Sequence, residues 1–130
     1  MILKSGEQKR RQDEATIEEF KWDNHSEESL QGKGNLFLTT QRLILERTLE
    51  GKTVIVFEFP LKAVSQVSRK GLLRKALSLQ VPLSDVSSKE TDFSSKKGFA
   101  HLTIKVNDPK GYFDEIAFRS GRSATSRLGG

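Results

Sequence analysis

Apolar and polar residues alternate most regularly between residues 34 and 45. Leu36 and Leu38 share one face of the first half, and Leu43 and Leu45 share one face of the second. A period of two is typical of strands that bury one side. Residues 40–42 leave room only for a tight turn, so the two halves predict an antiparallel hairpin.

The same alternation predicts five further strands. The first covers residues 14–22, with an irregularity near Phe20 that indicates a β-bulge. Residues 52–59 form the clearest single strand because they are rich in β-branched and aromatic side chains. Shorter strands follow at residues 61–67, 77–81 and 99–106, and the polar residues 84–97 predict a long, mobile loop.

A single helix is predicted after the last strand. Asp108 and Pro109 begin it, since Asp is a preferred N-cap and Pro a preferred first helical residue. An apolar stripe at helical spacing follows, and residues 120–121 end the helix. The stripe consists of Phe113, Ile116 and Ala117, with Tyr112 or Phe118 at its edges.

The hairpin sequence GNLFLTTQRLI, residues 34–44, resembles the signature hairpin of GRAM and GLUE domains, which are members of the pleckstrin-homology (PH) superfold. The order of predicted elements agrees with this family over residues 14–118. The resemblance implies a mainly β fold, in which a seven-stranded bent sheet or barrel is capped by one C-terminal helix. We expect a flexible lead over residues 1–13, a PH-like domain over 14–120 and a disordered tail over 121–130.

The charge and composition of the chain limit the classes of partner and of chemistry. Twenty-two Lys and Arg residues against seventeen Asp and Glu give a net charge of +5, which favours anionic partners. The chain has no cysteine, so thiolate chemistry is excluded. No apolar run reaches the length of a signal peptide or a membrane span. The sequence therefore predicts a soluble, cytoplasmic protein that meets membranes only peripherally.

Catalytic motifs do not occur in the sequence. The two histidines, His25 and His101, have no carboxylate spacing that would make a zinc site. A Walker phosphate loop, a dinucleotide-binding fingerprint and a nucleophile elbow are also missing. We predict that the protein is not an enzyme and uses no metal or cofactor.

The segment RKGLLRK, residues 69–75, is the candidate binding site. Four cations flank a glycine and two leucines, an arrangement that fits lipid phosphates held by the cations and apolar tips that enter the membrane interface. Alternatively, either leucine folds back to extend a strand or to fill the end of the barrel. The loop over residues 23–33 is acidic, which argues against the usual PH lipid site.

Within the family, the chain most resembles the GLUE domain of the ESCRT-II subunit that sorts ubiquitinated cargo. That resemblance implies phosphoinositide binding through the corresponding strand connection, and ubiquitin binding through the last strand and the helix. The implied lipid-binding residues are Arg69, Lys70, Arg74 and Lys75, with Leu72 and Leu73 as apolar tips and with Lys96 and Lys97 closing the pocket from the other side.

Three functions remain open at this stage. The first is binding of phosphoinositide or another anionic lipid at a membrane, within an endosomal sorting complex. The second is a protein-interaction module that binds ubiquitin. Nucleic-acid binding is disfavoured, because no strand alternates aromatic residues with cations as base stacking requires.

Overall fold

The computed structural model describes residues 1–70, 75–89 and 91–120, and the backbone of residues 125–128. In this part of the chain, nine strands form one sheet and a single α-helix follows the eighth strand. The predicted mainly β architecture with one C-terminal helix is confirmed. The elements are β1 (Lys9–Trp22), β2 (His25–Ser26), β3 (Gly32–Thr39), β4 (Arg42–Leu49), β5 (Lys52–Pro60), β6 (Gln66–Lys70), β7 (Ala76–Pro82), β8 (Phe99–Val106), α1 (Pro109–Arg119) and β9 (Thr125–Leu128).

The long strand β1 joins the two halves of the sheet. Strand order is β5-β4-β3-β1-β8-β7-β6-β9, with β2 paired to the end of β1. The first half of β1 pairs with β3 and the second half with β8, and the register shifts between Ile17 and Glu19. This shift is the predicted bulge, and such bulges bend a strand. Side chains from both halves meet in one apolar core.

The β3–β4 hairpin forms as predicted. Leu36 pairs with Leu45 and Leu38 with Leu43, and all four side chains are buried. Gly34 faces the same side, where a Cβ atom would lie 2.7 Å from the backbone oxygen of Glu46. The signature glycine is therefore required by the close approach of β4.

The first thirteen residues differ from the predicted flexible lead. β1 begins at Lys9, and the Glu7 side chain is buried against the outer face of the β3–β4 hairpin. Its carboxylate accepts hydrogen bonds from Arg42 Nη2 and Nε at 2.7 and 2.8 Å and from Thr39 Oγ1 at 2.5 Å. These bonds, chiefly those from Arg42, lower the pKa of Glu7 to about 2. The pattern of apolar residues could not predict this ordered segment, because the Glu7–Arg42 ion pair that holds it involves no apolar residue.

Helix α1 begins as predicted, with the Asp108 side chain accepting a hydrogen bond from the Gly111 N–H at 3.1 Å. Its buried anchors are Tyr112 and Ile116, whereas Phe113 is only half-buried. Tyr112 was expected at the edge of the apolar stripe, but its ring can be buried because its hydroxyl donates a hydrogen bond to the Asp13 carboxylate of β1. The buried face of the helix is therefore centred on Tyr112 and Ile116 rather than on Phe113, Ile116 and Ala117.

Two predicted segments take a different form. Residues 61–67 do not make one strand, because Leu61–Ala63 is a 3-10 turn and β6 starts only at Gln66. The loop predicted to be mobile is tied to the core: Phe93 is buried, its ring stacked on Phe20 at 5.6 Å, and Ser87 exchanges backbone hydrogen bonds with Glu58.

The predicted disordered tail also contains structure. Residues 125–128 form β9, which runs parallel to β6 at the edge of the sheet. The other residues of that tail, 121–124 and 129–130, lie outside the described residues.

Candidate functional site

The predicted basic segment, residues 69–75, connects β6 to β7. The structure describes Arg69, Lys70 and Lys75 from it, and each has a different environment. Leu72, Leu73 and Arg74 lie outside the described residues, together with residue 71. The predicted apolar tips are therefore untested. The described residues near the connection are those on the neighbouring strands.

Lys70 belongs to a row of cross-strand partners. It pairs with Ala76 on β7, which pairs in turn with Lys105 on β8. Lys105 pairs with Thr16 on β1, and Thr16 with Lys33 on β3. Paired residues point to the same face of a sheet, and neighbouring strands lie about 4.8 Å apart. The three exposed lysines therefore follow one line at intervals of about 10 Å.

Lys75 adds a fourth cation beside this line. Its backbone is left-handed, with φ of 49°, and its carbonyl accepts a hydrogen bond from the Val106 N–H at 2.9 Å. With Lys33 and Lys105 it lines a shallow groove of about 230 Å³. Glu14 is the one carboxylate among the described residues that line this groove. We call Lys33, Lys70, Lys75 and Lys105 the basic row.

The charges of the basic row are open to a ligand. No salt bridge joins any of its four lysines to another described residue. The arginines at the start of β1 are engaged instead, since Arg10 binds Glu115 and Arg11 binds Asp108, each at 2.9 Å. These arginines fasten β1 to α1, whereas the lysines of the basic row face solvent.

Arg69 faces the opposite side of the sheet. It pairs with the buried Leu77, and its guanidinium carbon lies 6.0 Å from the centre of the Phe113 ring. Within the part of the chain that the structure describes, its Nε–H is buried and has no hydrogen-bond acceptor, which is costly for a buried donor. Arg69 does not belong to the basic row.

Lys96 and Lys97 lie at the other end of β8. Both precede Phe99, which pairs with Pro82, and the Lys96 ammonium lies 5.9 Å from the centre of the Trp22 ring. The six residue-to-residue steps from Phe99 to Lys105 span about 20 Å. The structure therefore does not bring Lys96 and Lys97 to the β6–β7 connection, because their loop enters β8 whereas the connection lies where β8 ends.

Lys33 and Lys105 were missed by the sequence analysis. Alternation along residues 99–106 already places Lys105 on the outward face, but Lys33 sits in what the sequence suggests is a loop. Their common partner Thr16 is distant from both in the sequence. Only the pairing of β1 with both β3 and β8 aligns them.

The described part of the chain shows neither a metal-binding cluster nor a membrane-spanning helix. Its His, Asp and Glu side chains form no group of three that could hold a metal ion. None of its helices is long and apolar enough to cross a membrane. What the site offers is a line of exposed cations across the outer face of the sheet.

Comparison with known proteins supports the fold. No family model matches the sequence, and no curated protein matches it. A solved structure described as "Vps36 N-terminal PH domain" is similar to this chain, with a TM-score of 0.54 and 19% sequence identity. The match covers 88% of this chain and 80% of that chain. The predicted PH-like fold is thereby confirmed.

Proposed function

We propose that the protein is a non-catalytic, PH-like module that binds phosphoinositide or another anionic lipid at a membrane surface. The observation that carries this proposal is the alignment of Lys33, Lys70 and Lys105 across five strands, with Lys75 beside them. Lipid phosphates attract such exposed cations. Cations at intervals of about 10 Å suit a surface that presents many headgroups better than a single small ligand.

The affinity expected from the basic row alone is weak. A cation close to an anionic leaflet contributes roughly 1 kcal/mol, so four lysines contribute about 4 kcal/mol. That corresponds to a dissociation constant of about 1 mM. The remaining residues of the connection, among them Leu72, Leu73 and Arg74, would have to supply more. We therefore propose a membrane co-detector rather than an autonomous anchor.

Vesicle co-sedimentation tests this proposal. The chain is mixed with phosphatidylcholine vesicles that contain phosphatidylinositol 3-phosphate, phosphatidylserine or neither. The double variant Lys70→Glu/Lys105→Glu should lose binding to both anionic vesicles, because it places two negative charges in the basic row. Phosphatidylcholine alone should retain neither protein.

The matched control is Lys96→Glu/Lys97→Glu, which changes the net charge equally at the far end of β8. It should bind anionic vesicles nearly as well as the unmodified chain. Equal losses in both double variants would show that net charge alone drives binding, and the proposal would be rejected. Thermal unfolding of each variant checks that the fold is retained.

A second candidate function is protein interaction, with ubiquitin as the partner that the GLUE resemblance implies. One observation favours it: the Phe118 side chain on α1 is 81% exposed, and aromatic residues are enriched in protein–protein interfaces. NMR titration with ubiquitin tests it. Shifts around Phe118 that vanish in Phe118→Ala would support this candidate, and an unchanged spectrum would reject it.

For the cellular setting, we propose a cytoplasmic protein that associates peripherally with membranes, as part of a larger sorting complex. The sorting complex rests on the resemblance to GLUE domains, and the cytoplasmic location on the cysteine-free sequence. A sorting complex agrees with the weak affinity expected of the basic row, because a module of this strength needs further contacts to remain bound. Several weak contacts in one assembly multiply into stable attachment.

A further inference from the structure

A second concave surface shares no residue with the basic row. This cavity of about 630 Å³ lies where the β3–β4 turn, the end of β5 and the end of α1 meet. Sites for small ligands and short segments commonly have volumes of about 300–1,000 Å³. The cavity is therefore large enough to hold a ligand.

The walls of the cavity are tied to one another. The Leu61 N–H donates a 2.9 Å hydrogen bond to the Gln41 carbonyl, which joins the β3–β4 turn to the 3-10 turn after β5. Ser87 and Glu58 exchange backbone hydrogen bonds of 2.9 and 2.8 Å, which join the following loop to β5. A ligand would therefore meet a preformed surface, and binding would cost little ordering of the protein.

Four cations line the cavity, and three of them come from separate parts of the chain outside the β3–β4 hairpin. Lys4 comes from the segment before β1, Lys62 from the 3-10 turn, and Arg119 from the end of α1. Neither Lys4 nor Lys62 forms a salt bridge with another described residue, and both are exposed. The Arg119 Nε–H donates a 3.0 Å hydrogen bond to the Glu115 carboxylate. These side chains can turn towards an anionic ligand.

The acidic groups of the cavity offset only part of this charge. Glu58 already contacts the guanidinium of Arg42 in the floor, at 3.3 Å. Arg42 is held further by Glu7 and by the Ile2 carbonyl, at 2.7 and 2.9 Å. Asp85 is then the one lining carboxylate that makes no salt bridge to a described residue. Among the lining residues, four cations (Lys4, Arg42, Lys62 and Arg119) face two carboxylates (Glu58 and Asp85). Arg42 and Arg119 are already matched by Glu7, Glu58 and Glu115, so the positive charge available to a ligand is that of Lys4 and Lys62.

The distribution of donors points to a ligand with several separate anionic groups. The cationic side chains of the cavity come from separate parts of the chain, whereas a lone phosphate is usually held by clustered backbone N–H groups or a helix N-terminus. Side-chain hydroxyl and amide groups of Thr40, Gln41 and Ser84 can bond to a peptide backbone. We propose that this cavity binds an acidic peptide segment of a partner protein.

Fluorescence anisotropy with a labelled oligoglutamate peptide tests the proposal, with an oligoglutamine peptide as the uncharged probe. Lys4→Glu/Lys62→Glu should weaken oligoglutamate binding at least about tenfold, since it reverses two of the lining charges. The control Lys52→Glu/Lys97→Glu makes the same change in net charge at exposed lysines elsewhere and should stay within about twofold. Thermal unfolding confirms that both variants remain folded.

Four results would overturn the proposal. The first is that oligoglutamate does not bind, and the second is an equal loss of binding in both double variants. The third is displacement of the peptide by inorganic phosphate at equal charge concentration, which would indicate a simple anion site. The fourth is that Lys4→Glu/Lys62→Glu, and not Lys70→Glu/Lys105→Glu, abolishes vesicle binding, which would make the cavity the lipid site. Vesicle binding that depends only on the basic row leaves the peptide proposal standing.

Discussion

The hydroxyl of Tyr112 donates a 2.8 Å hydrogen bond to the Asp13 carboxylate, and this bond fastens α1 to β1. The Tyr112 ring is fully buried, whereas its neighbour Phe113 is half-buried and Phe118 is exposed. The helix is therefore held by one side chain that contributes both apolar burial and a charge-assisted hydrogen bond. Three substitutions on one helix separate these contributions.

Tyr112→Ala should lower the free energy of unfolding by about 3–5 kcal/mol, the range for removing a buried aromatic ring. Tyr112→Phe keeps the ring and should cost about 1–2 kcal/mol, through the lost hydrogen bond to a carboxylate. Phe118→Ala is the control and should cost less than about 0.5 kcal/mol. Urea denaturation measures all three. Equal costs for Tyr112→Phe and Tyr112→Ala would mean that the hydrogen bond, rather than ring burial, holds the helix.

Tyr112 is the only tyrosine of the chain, so its ionisation can be followed alone. Burial, followed by the hydrogen bond to Asp13, raises its pKa well above the usual value. A raised folded-state pKa means that this stability is complete below about pH 10 and is lost as the pH rises further. We expect tyrosinate absorbance to appear together with unfolding in an alkaline titration. Ionisation of a chain that is still folded by circular dichroism would contradict the burial.

The Glu7–Arg42 pair should control acid stability. A folded-state pKa of about 2, below the ordinary 4.5, stabilises the fold above that ordinary value, and the stability is lost as the pH falls from 4.5 towards 2. The contribution is about 3 kcal/mol at neutral pH. Glu7→Gln should therefore lower Tm at neutral pH, and its Tm should fall less on acidification. Parallel Tm curves for the two proteins would show that Glu7 is not the titrating group.

Gly34→Ala should destabilise the fold by about 1–3 kcal/mol, because the added Cβ would overlap the Glu46 carbonyl oxygen of the neighbouring strand. Asn35→Ala is the control, since Asn35 is the next residue on β3 and is exposed. Its cost should stay below about 0.5 kcal/mol. Chemical denaturation of the two variants decides the point, and similar values would mean that β4 moves aside at no cost.

Lipid binding through the basic row should depend on salt. The screening length falls from about 30 Å at 0.01 M salt to about 8 Å at physiological ionic strength, which shortens the range over which the basic row attracts lipid phosphates. Binding to anionic vesicles should thus weaken steeply between low and physiological salt. Ubiquitin binding at Phe118, which rests on apolar contact, should change little. Salt-independent vesicle binding would be incompatible with the electrostatic account.

The features that could be predicted from the sequence are those that depend on neighbours along the chain. Leu36 and Leu38 alternate with their own neighbours, and the hairpin turn is only a few residues away. The cap of α1 likewise uses Asp108 and the residues that follow it directly. The alternation of a strand and the cap of a helix depend on residues within a few positions of each other, so these elements were predicted correctly.

The features that escaped prediction depend on partners far apart in the chain. Glu7 has no periodic neighbours, and its partner Arg42 looked like an ordinary turn residue of the hairpin. Lys33 and Lys105 become neighbours only because β1 lies between their strands. Single charges carry no periodicity, so the register of the finished sheet is needed to bring them together.

The shared strand β1 also sets the order in which the chain can fold during synthesis. Its partner β3 follows closely, but β8, its partner on the other side, is made about 85 residues later. At about 5–20 residues per second, one edge of β1 remains unpaired for at least several seconds. An exposed strand edge can pair with other chains. A ribosome-associated chaperone that shields this edge would therefore raise the yield of folded protein more than one acting after release.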